Sequence, residues 1–388
     1  MAVNGATPSN TGLADHETEF AWFLPTSGDT ESFGDRSTER EATFDYLVEV
    51  AQAAEAAGFS SALVPVGDSC QDAWVVAALA APLTKDFKFL VAVRPGFVAP
   101  VVAAKMVSTF DRLTGGRLLV NVVTGGFPAE LAADGDFTPH DRRYQRTREF
   151  IEVMKKYWTE RRFDHEGEFY RVEGCKPAVR CLTEPYPPLY AGGASEIAED
   201  VFADSIDCYL LWGETIPQMT ERIERMSAKA AAHGKALRFG VRLHVLARAT
   251  HEEAVAAAEQ QVAGVPEEHV ERVQKVLKAT DSAGESRQRV FAGRDDLWPE
   301  ENLWAGVGKV RRGIGLTVVG SYEEVARKFL TYSEMGLSYF ILSGYPHLEE
   351  ARIAGEHWLP LFRELNAGRT AGHSLNHEPF QKEFMTSQ

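Results

Sequence analysis

Residues 47–66, which read LVEVAQAAEAAGFSSALVPV, decide the fold class. One apolar face at helical spacing is formed by Leu47, Val50, Ala51 and Ala54. Gly58 then supplies the residue type that often ends a helix. An apolar run follows at 61–66, and another precedes the helix at 20–24. A strand, a helix and a second strand in this order predict parallel strands joined by a helical crossover.

The same alternation continues along the chain. Further apolar runs typical of strands buried on both faces recur at 87–93, 118–123, 188–191, 208–212, 239–247 and 339–343. Helical signals lie between them, and Ser321 followed by Glu324 is a capping-box signature that opens the last major helix. Eight strands with intervening helices predict an α/β fold of the (β/α)8 TIM-barrel type.

We expect a single barrel domain at 19–365, preceded by a flexible tail at 1–18 and followed by a polar C-terminal arm at 366–388. Two segments exceed what a minimal barrel needs. The first, at about 159–187, is expected to be a hairpin insertion. The second, at about 250–320, mixes a helical pattern with the stretch GESRQRVFAGRDD, which is typical of a functional lid or a disordered loop.

The composition excludes several classes of protein. The 388 residues include 41 Lys and Arg against 56 Asp and Glu, which gives a net charge of −15 and no basic surface for nucleic acid. Four scattered cysteines without a C-x-x-C pair predict neither a disulfide scaffold nor a zinc site. The longest apolar run is about half the ~20 residues of a membrane helix. We therefore expect a cytoplasmic protein without metal or membrane partner.

Chemistry in this fold collects where strands end, and those positions are rich in Trp, Tyr, His and Arg but poor in carboxylates. Arg242 and His244 alternate by two and therefore share one face of the seventh strand. Inward charge is costly in a barrel unless it meets a ligand or a partner, so both are candidate site residues. The segment YAGGAS at 190–195 places Gly193 and Ser195 where a helix begins, which suits a phosphate.

Eight motifs, spread in order over about residues 19–365, carry a resemblance to a known family. They are WFLPTSGD (22–29), SCQDAW (69–74), RLTGGR (112–117), NVVTG (121–125), PYPPLYAGGAS (185–195), RLHV (242–245), NLWAGVG (302–308) and SGYPHLEEA (343–351). Together they resemble the flavin-dependent alkanesulfonate monooxygenases of the bacterial luciferase-like superfamily.

The resemblance implies a two-component enzyme. Free reduced FMN is supplied by a separate NAD(P)H-dependent FMN reductase, and O2 is the second co-substrate. The carbon–sulfur bond of an organosulfonate is cleaved to an aldehyde and sulfite. Relatives form dimers or tetramers, so the resemblance also implies a homo-oligomer.

The resemblance assigns five catalytic residues. It makes Arg242 a contact of the sulfonate or the reacting oxygen, and His244 a candidate acid or base. Arg311 matches an arginine that closes over the site, although its neighbour Arg312 replaces a family glycine and leaves the choice between the two open. Tyr345 and His347 are expected to complete proton handling.

The resemblance also assigns the binding residues. For the flavin these are Asn121, Thr124, Glu130, Tyr144, Gly193 and Ser195. The candidate substrate residues are Cys70, which matches a family cysteine, Trp22 and Trp212 at strand ends, and Asp68, which departs from the family pattern. Cys70 is either near the flavin or a small buried hydrophobe, and Glu130 is either a flavin contact or a solvated helix residue.

Asp68 departs from the family pattern, which has an arginine before the Ser-Cys pair. We hypothesise that its carboxylate bonds hydroxyl groups of a polyhydroxylated sulfonate such as sulfoquinovose; the other reading is a turn or helix cap. Two further alternatives stay open. One is a deazaflavin-dependent dehydrogenase on the same barrel, and the other is a non-catalytic protein that binds flavin or sulfonate.

Overall fold

Eight parallel strands pair edge to edge in a closed ring, which confirms the predicted α/β TIM barrel. The computed structural model describes residues 17–294 and 296–373. The barrel strands are β1 (Glu19–Phe23), β2 (Ser61–Val64), β3 (Lys88–Val93), β4 (Leu118–Val122), β7 (Leu189–Ala191), β8 (Cys208–Trp212), β9 (Arg238–Arg248) and β12 (Tyr339–Ser343). The ring closes because β1 pairs with β2 on one edge and with β12 on the other.

Helices follow the strands around the outside of the barrel. In chain order they are α1 (Phe44–Ala57), α2 (Ala73–Ala80), α3 (Pro100–Thr114), α4 (Pro128–Ala133), α5 (His140–Thr159), α6 (Glu196–Ser205), α7 (Ile216–Ala232), α8 (His251–Val262), α9 (Glu267–Lys278), α10 (Ala283–Ala292), α11 (Val307–Val310), α12 (Tyr322–Glu334), α13 (His347–Ile353) and α14 (Leu359–His373). Gly58 ends α1 at a φ of 92°, and the predicted capping box of Ser321 and Glu324 opens α12.

Two insertions depart from the minimal barrel. The first carries the antiparallel hairpin of β5 (Phe163–Glu166) and β6 (Arg171–Cys175). The second spans α8 to α11 and adds β10 (Leu303–Trp304) and β11 (Thr317–Ser321), which continues the sheet beside the second half of β9. Most of the Gly/Arg/Asp-rich stretch in this insertion is the helix α10, so the expectation of a disordered loop is wrong.

The C-terminal boundary also needs correction, since α14 extends to His373, inside the segment expected to be a polar arm. The rest of that arm, and residues 1–16 of the expected tail, lie outside the described residues. In the part of the chain that the structure describes, the helices are too short or too polar to cross a membrane.

The barrel interior is filled below the site by large side chains. Buried together are Ala21, Leu63, Leu90, Leu119, Tyr190, Cys208, Leu210, Tyr339 and Ile341. Successive side chains of a strand point to opposite faces, and this alternation determines which residues reach the open end of the barrel above these buried side chains. On β9 the inward positions are Arg242 and His244, and on β12 the inward residue opposite His244 is Ser343.

Candidate active site

A cavity of about 540 Å³ opens at the carboxyl ends of the barrel strands and falls within the size range of small-molecule sites. Strand ends supply Asn121, Trp212 and Arg242, while the second insertion covers the mouth with residues of α10 and the segment 311–314. Carboxyl ends of barrel strands are where TIM-barrel enzymes place their chemistry. The cavity is therefore the candidate active site.

Arg242 is held by its neighbours. Its Nη2 donates to Ser343 Oγ at 2.7 Å, and its Nη1 donates to the carbonyl of Leu243 at 2.6 Å. Ser343 in turn lies 2.7 Å from Nδ1 of His244, whose Nε2 lies 2.9 Å from the carbonyl oxygen of Ile314. Because a carbonyl only accepts, Nε2 carries the proton and Nδ1 accepts from the serine hydroxyl.

His244 is therefore a neutral positioning group. Burial, together with the positive charges of Arg242 and Arg311, lowers the pKa of His244 well below its ordinary value. Both ring nitrogens already make hydrogen bonds within the protein. This arrangement does not match the direct acid–base role expected for His244, and instead makes it the support of Ser343 and Arg242.

Arg311 brings a second guanidinium to the same cavity. Its Nε donates to the carbonyl of Arg312 at 3.1 Å, and its guanidinium carbon lies 5.5 Å from the ring centroid of Tyr345. Burial lowers the pKa of both Arg311 and Arg242, in the latter to about 9 with Arg311 as the second cause. No carboxylate among residues 17–294 and 296–373 forms an ion pair with either guanidinium. The nearby Glu285 carboxyl acts on Arg311, but neither guanidinium has a salt-bridge partner among these residues, and two arginines in one cavity suit an anionic ligand.

The predicted site residues that lie behind the cavity wall are Trp22, Tyr345 and His347. Trp22 is fully buried, packs on Phe59 and donates its indole N–H to the carbonyl of His347 at 3.2 Å. The expectation that it lines the substrate pocket is wrong, because Ala21 faces the barrel interior and strand alternation turns Trp22 toward the helices.

Tyr345 and His347 form a second layer instead of meeting the ligand space. The Tyr345 ring lies beneath Arg311 and packs against His244 and His347. His347 Nδ1 bonds Asp29 at 2.8 Å. Burial alone would raise the pKa of Asp29, but His347 and Tyr46 hold it below its usual value. Neither Tyr345 nor His347 is among the residues that line the cavity, and their expected part in proton handling stays a prediction.

Asp68 also does not line the cavity. Both of its carboxylate oxygens bond Nη2 of Arg312, at 2.8 and 2.9 Å, at the exposed rim. The Asp68 carboxylate is thus directed to a guanidinium, and the hypothesis that it selects substrate hydroxyls gains no support from this position. Arg311 and Arg312 both line the cavity, and Arg312 also bridges its rim through this contact, so the choice between the two arginines stays open.

The remaining predicted substrate residues do line the cavity. Cys70 follows β2 and has a thiol whose pKa is raised by burial, so it is neutral. Trp212 ends β8 and forms a wall against which Gly284 of α10 packs. These positions agree with a pocket wall and give no support to a nucleophilic cysteine.

Gly193 and Tyr144 line another part of the cavity, and Ser195 lies just beyond the lining residues at the start of α6. A Cβ on Gly193 would lie 2.6 Å from Ala198 Cβ and 3.0 Å from the Tyr144 hydroxyl, so only glycine permits this approach. Ser195 is the N-cap of α6 and hydrogen-bonds Tyr144. Burial raises the pKa of Tyr144 to about 12, which keeps its hydroxyl a donor. Hydroxyls beside a helix N-terminus suit a phosphate.

The other predicted flavin residues line the middle of the cavity. Asn121 lies on β4, and Thr124 follows it with its hydroxyl 3.4 Å from that of Thr147. Glu130 also lines the cavity, but its carboxylate is paired with Arg94. Any flavin contact at Glu130 is therefore shared with that arginine.

Glu285 of α10 is a cavity residue that the sequence analysis missed. Its side chain is buried and lies among the cavity-lining residues. Ser282 and Glu285 have the spacing of a capping box, which would assign the carboxylate to the helix end. In the structure the Ser282 half of that box forms, while the Glu285 carboxyl lies near the backbone N–H of Gly313.

Comparison with known proteins agrees with this architecture. The family model of luciferase-like monooxygenases matches residues 18–339, so the chain belongs to that family. Among solved structures, the EDTA monooxygenase of Chelativorans sp. BNC1 has a TM-score of 0.73 at 18% identity, covering 90% of this chain and 94% of that one.

Two further structures share the fold. A riboflavin lyase solved with modified FMN and riboflavin has a TM-score of 0.68 at 23% identity, covering 90% of this chain and 92% of its own. An F420-dependent secondary alcohol dehydrogenase has a TM-score of 0.64 at 16% identity, covering 88% and 98%. At these identities the likeness concerns the fold, and the fold alone serves more than one cofactor.

Among the described residues, no three His, Cys, Asp or Glu side chains are grouped so that they could hold a metal ion.

Proposed function

We propose that this chain is a monooxygenase that uses reduced FMN and O2 to cleave the carbon–sulfur bond of an organosulfonate. The overall reaction converts the sulfonate, O2 and reduced FMN to an aldehyde, hydrogen sulfite, oxidised FMN and water. The observation that carries the proposal is that two guanidiniums without a salt-bridge partner among the described residues, Arg242 and Arg311, line one cavity of a luciferase-like monooxygenase. A separate NAD(P)H-dependent reductase supplies the reduced FMN.

The residues present fit FMN at the end of the cavity away from these arginines. We assign the phosphate to the space beside Gly193, Ser195 and the Tyr144 hydroxyl. A Cβ at position 193 would fill this space. Asn121 and Thr124 line the space beside it for the ring system. Reduced FMN supplies the electrons that activate O2 for insertion.

Arg242 and Arg311 hold the sulfonate and stabilise the negative charge that develops on the departing sulfite. Such stabilisation is effective because Ser343 and the neutral His244 fix Arg242 before the substrate binds. Tyr345 acts as a positioning residue through its contact with the Arg311 guanidinium. The covering segments, α10 and 311–314, exclude bulk water and so protect the reaction from side products.

Sulfite release tests this proposal. The purified chain is combined with FMN, NADH, an FMN reductase and O2, and offered octanesulfonate or sulfoquinovose. We expect sulfite only in the complete mixture. Absence of sulfite with a verified reductase, or an oxygen-independent oxidation by a deazaflavin, would favour the alternative dehydrogenase.

Substitution of the arginine tests the anion site itself. We expect Arg242→Gln to lower kcat/KM for the sulfonate by about 100-fold or more, because it removes a fixed charge from a dry site. Arg327→Gln is the matched control, since Arg327 is exposed on α12 and pairs with Glu323. Equal activity of the two variants would contradict the assignment.

A further inference from the structure

Glu285 has a fixed backbone but an incompletely bonded carboxylate. One turn along α10, the Gln288 side-chain amide donates to the carbonyl of Gly213 and accepts the N–H of Gly315 at 3.1 Å. These two bonds tie α10 to the loop after β8 and to the segment before β11. Glu285, with 2% of its surface exposed, is therefore held over the cavity by the fold.

The two carboxylate oxygens of Glu285 differ in their surroundings. The carboxyl lies near the backbone N–H of Gly313, while Oε2 is buried and no described residue gives it a hydrogen-bonding partner. Leaving a buried polar atom unsatisfied is costly, and such atoms in a ligand cavity commonly meet a ligand group. Oε2 is thus a candidate contact for a polar group of the substrate.

We infer that Glu285 selects organosulfonates that carry a hydroxyl group, by hydrogen-bonding that hydroxyl while Arg242 and Arg311 hold the sulfonate. This inference rests on the proposed function and names its substrate class. It assigns to Glu285 the role that the sequence suggested for Asp68.

The surroundings of Glu285 favour a hydroxyl over an ammonium. The positive charges of Arg311 and Arg312 act on Glu285, and they would repel a cationic substrate group. Burial also raises the pKa of Glu285 to about 7, so both protonation states are populated near neutral pH. A hydroxyl both donates and accepts and therefore bonds the carboxyl in either state, whereas an ammonium only donates.

The test uses sulfonates of matched size that differ in one group. Each series has a terminal hydroxyl, methyl or ammonium group on the same chain. The shorter series is 2-hydroxyethanesulfonate, propanesulfonate and 2-aminoethanesulfonate. The longer series is 3-hydroxypropanesulfonate, butanesulfonate and 3-aminopropanesulfonate. Sulfoquinovose is a longer hydroxylated member. Sulfite release gives kcat/KM, and calorimetry on the flavin-free chain gives Kd. We expect kcat/KM to favour hydroxyl over methyl by at least about tenfold at one length.

Variants at position 285 assign the preference to this side chain. Glu285→Leu is expected to abolish the hydroxyl preference, by lowering kcat/KM for the hydroxyl compounds about tenfold more than for the methyl compounds. Glu285→Gln keeps one polar group and should retain part of the preference, and it serves as the test if the leucine variant does not fold. Glu271→Gln, an exposed carboxylate on α9, is the control and should match the wild type.

The outcomes separate this inference from the proposed function. Equal kcat/KM for hydroxyl and methyl compounds, an ammonium preference, or an equal loss on both compounds in Glu285→Leu overturns the inference and leaves the function standing. No sulfite from any sulfonate overturns the proposed function. In that case calorimetry still tests the role of Glu285. A lower Kd for the hydroxyl compounds than for the methyl compounds, lost in Glu285→Leu, would support the role. Equal Kd values for the two kinds of compound in the wild type would contradict it.

Discussion

Residues Glu285 and Gln288 lie one turn apart on α10 but differ in how fully their side chains are bonded. The side-chain amide of Gln288 forms hydrogen bonds through both its nitrogen and its oxygen. The buried Oε2 of Glu285 has no hydrogen-bonding partner among the described residues. Burial of a carboxyl favours its neutral form. The pKa of Glu285 is accordingly raised to about 7, and this predicts a pH-dependent contribution to stability.

The folded chain binds the Glu285 proton more tightly than the unfolded chain does. The stabilising contribution is complete below the ordinary pKa of 4.5 and is lost as the pH rises through about 7. The stability of Glu285→Gln relative to wild type should therefore increase from pH 5 to pH 8, by on the order of 2 kcal/mol. Denaturant unfolding at the two pH values measures it, and a difference that does not change with pH would contradict it.

Single residues also show what the sequence could predict and why some predictions failed. Arg242 and His244 were placed correctly because strand alternation is a local rule. The same rule, applied to β1, would have turned Trp22 away from the site. Glu285 could not be found locally, because its neighbour Gly313 is distant in sequence and competes with the capping role that the spacing suggests.

At the scale of elements, the loop after β2 and the segment after α11 meet across the cavity rim. Asp68 and Arg312, which each replace a different family residue, pair there. In the sequence, the substitutions at Asp68 and Arg312 are 244 positions apart and look unrelated, and the fold brings the two side chains into contact. Both side chains are more than a third exposed, so the pair contributes little to overall stability.

An exchange of charges tests what this pair does for the cavity. Asp68→Arg alone places two guanidiniums against each other and should open the rim, raising the hydrogen peroxide released per reduced FMN several-fold. Arg312→Asp in the same chain exchanges the two charges, re-forms an ion pair and should restore the wild-type yield. Unchanged peroxide in Asp68→Arg, or no recovery in the double variant, would show that the contact does not hold the rim closed.

On the scale of the whole molecule, one row of apolar side chains remains on the surface. Val75, Leu79 and Leu83 recur every fourth residue along α2 and the turn after it, and are 58%, 54% and 44% exposed. We predict that a homo-oligomer covers this row. Sedimentation should give an oligomer for the wild type and a smaller species for Leu79→Glu, with Leu113→Glu unchanged. A monomeric wild type at micromolar concentration would contradict this.

The barrel itself could be predicted because each strand and helix carries its own pattern. The eight predicted strands match the eight barrel strands within a few residues. The second insertion was less predictable, since its place over the cavity depends on contacts such as Gln288 with Gly213 and Gly315. Patterns in the chain describe elements, whereas the closing of a lid depends on long-range bonds that no local pattern encodes.

A single-turnover experiment tests the central claim most directly. Photoreduced FMN and the chain are mixed without oxygen and without reductase, a sulfonate is added, and the mixture is then exposed to O2. We predict about one sulfite per reduced FMN with little hydrogen peroxide, and peroxide in place of sulfite in Arg242→Gln. Flavin oxidation that yields only peroxide in the wild type, with alkyl and hydroxylated sulfonates alike, would contradict carbon–sulfur cleavage by this protein.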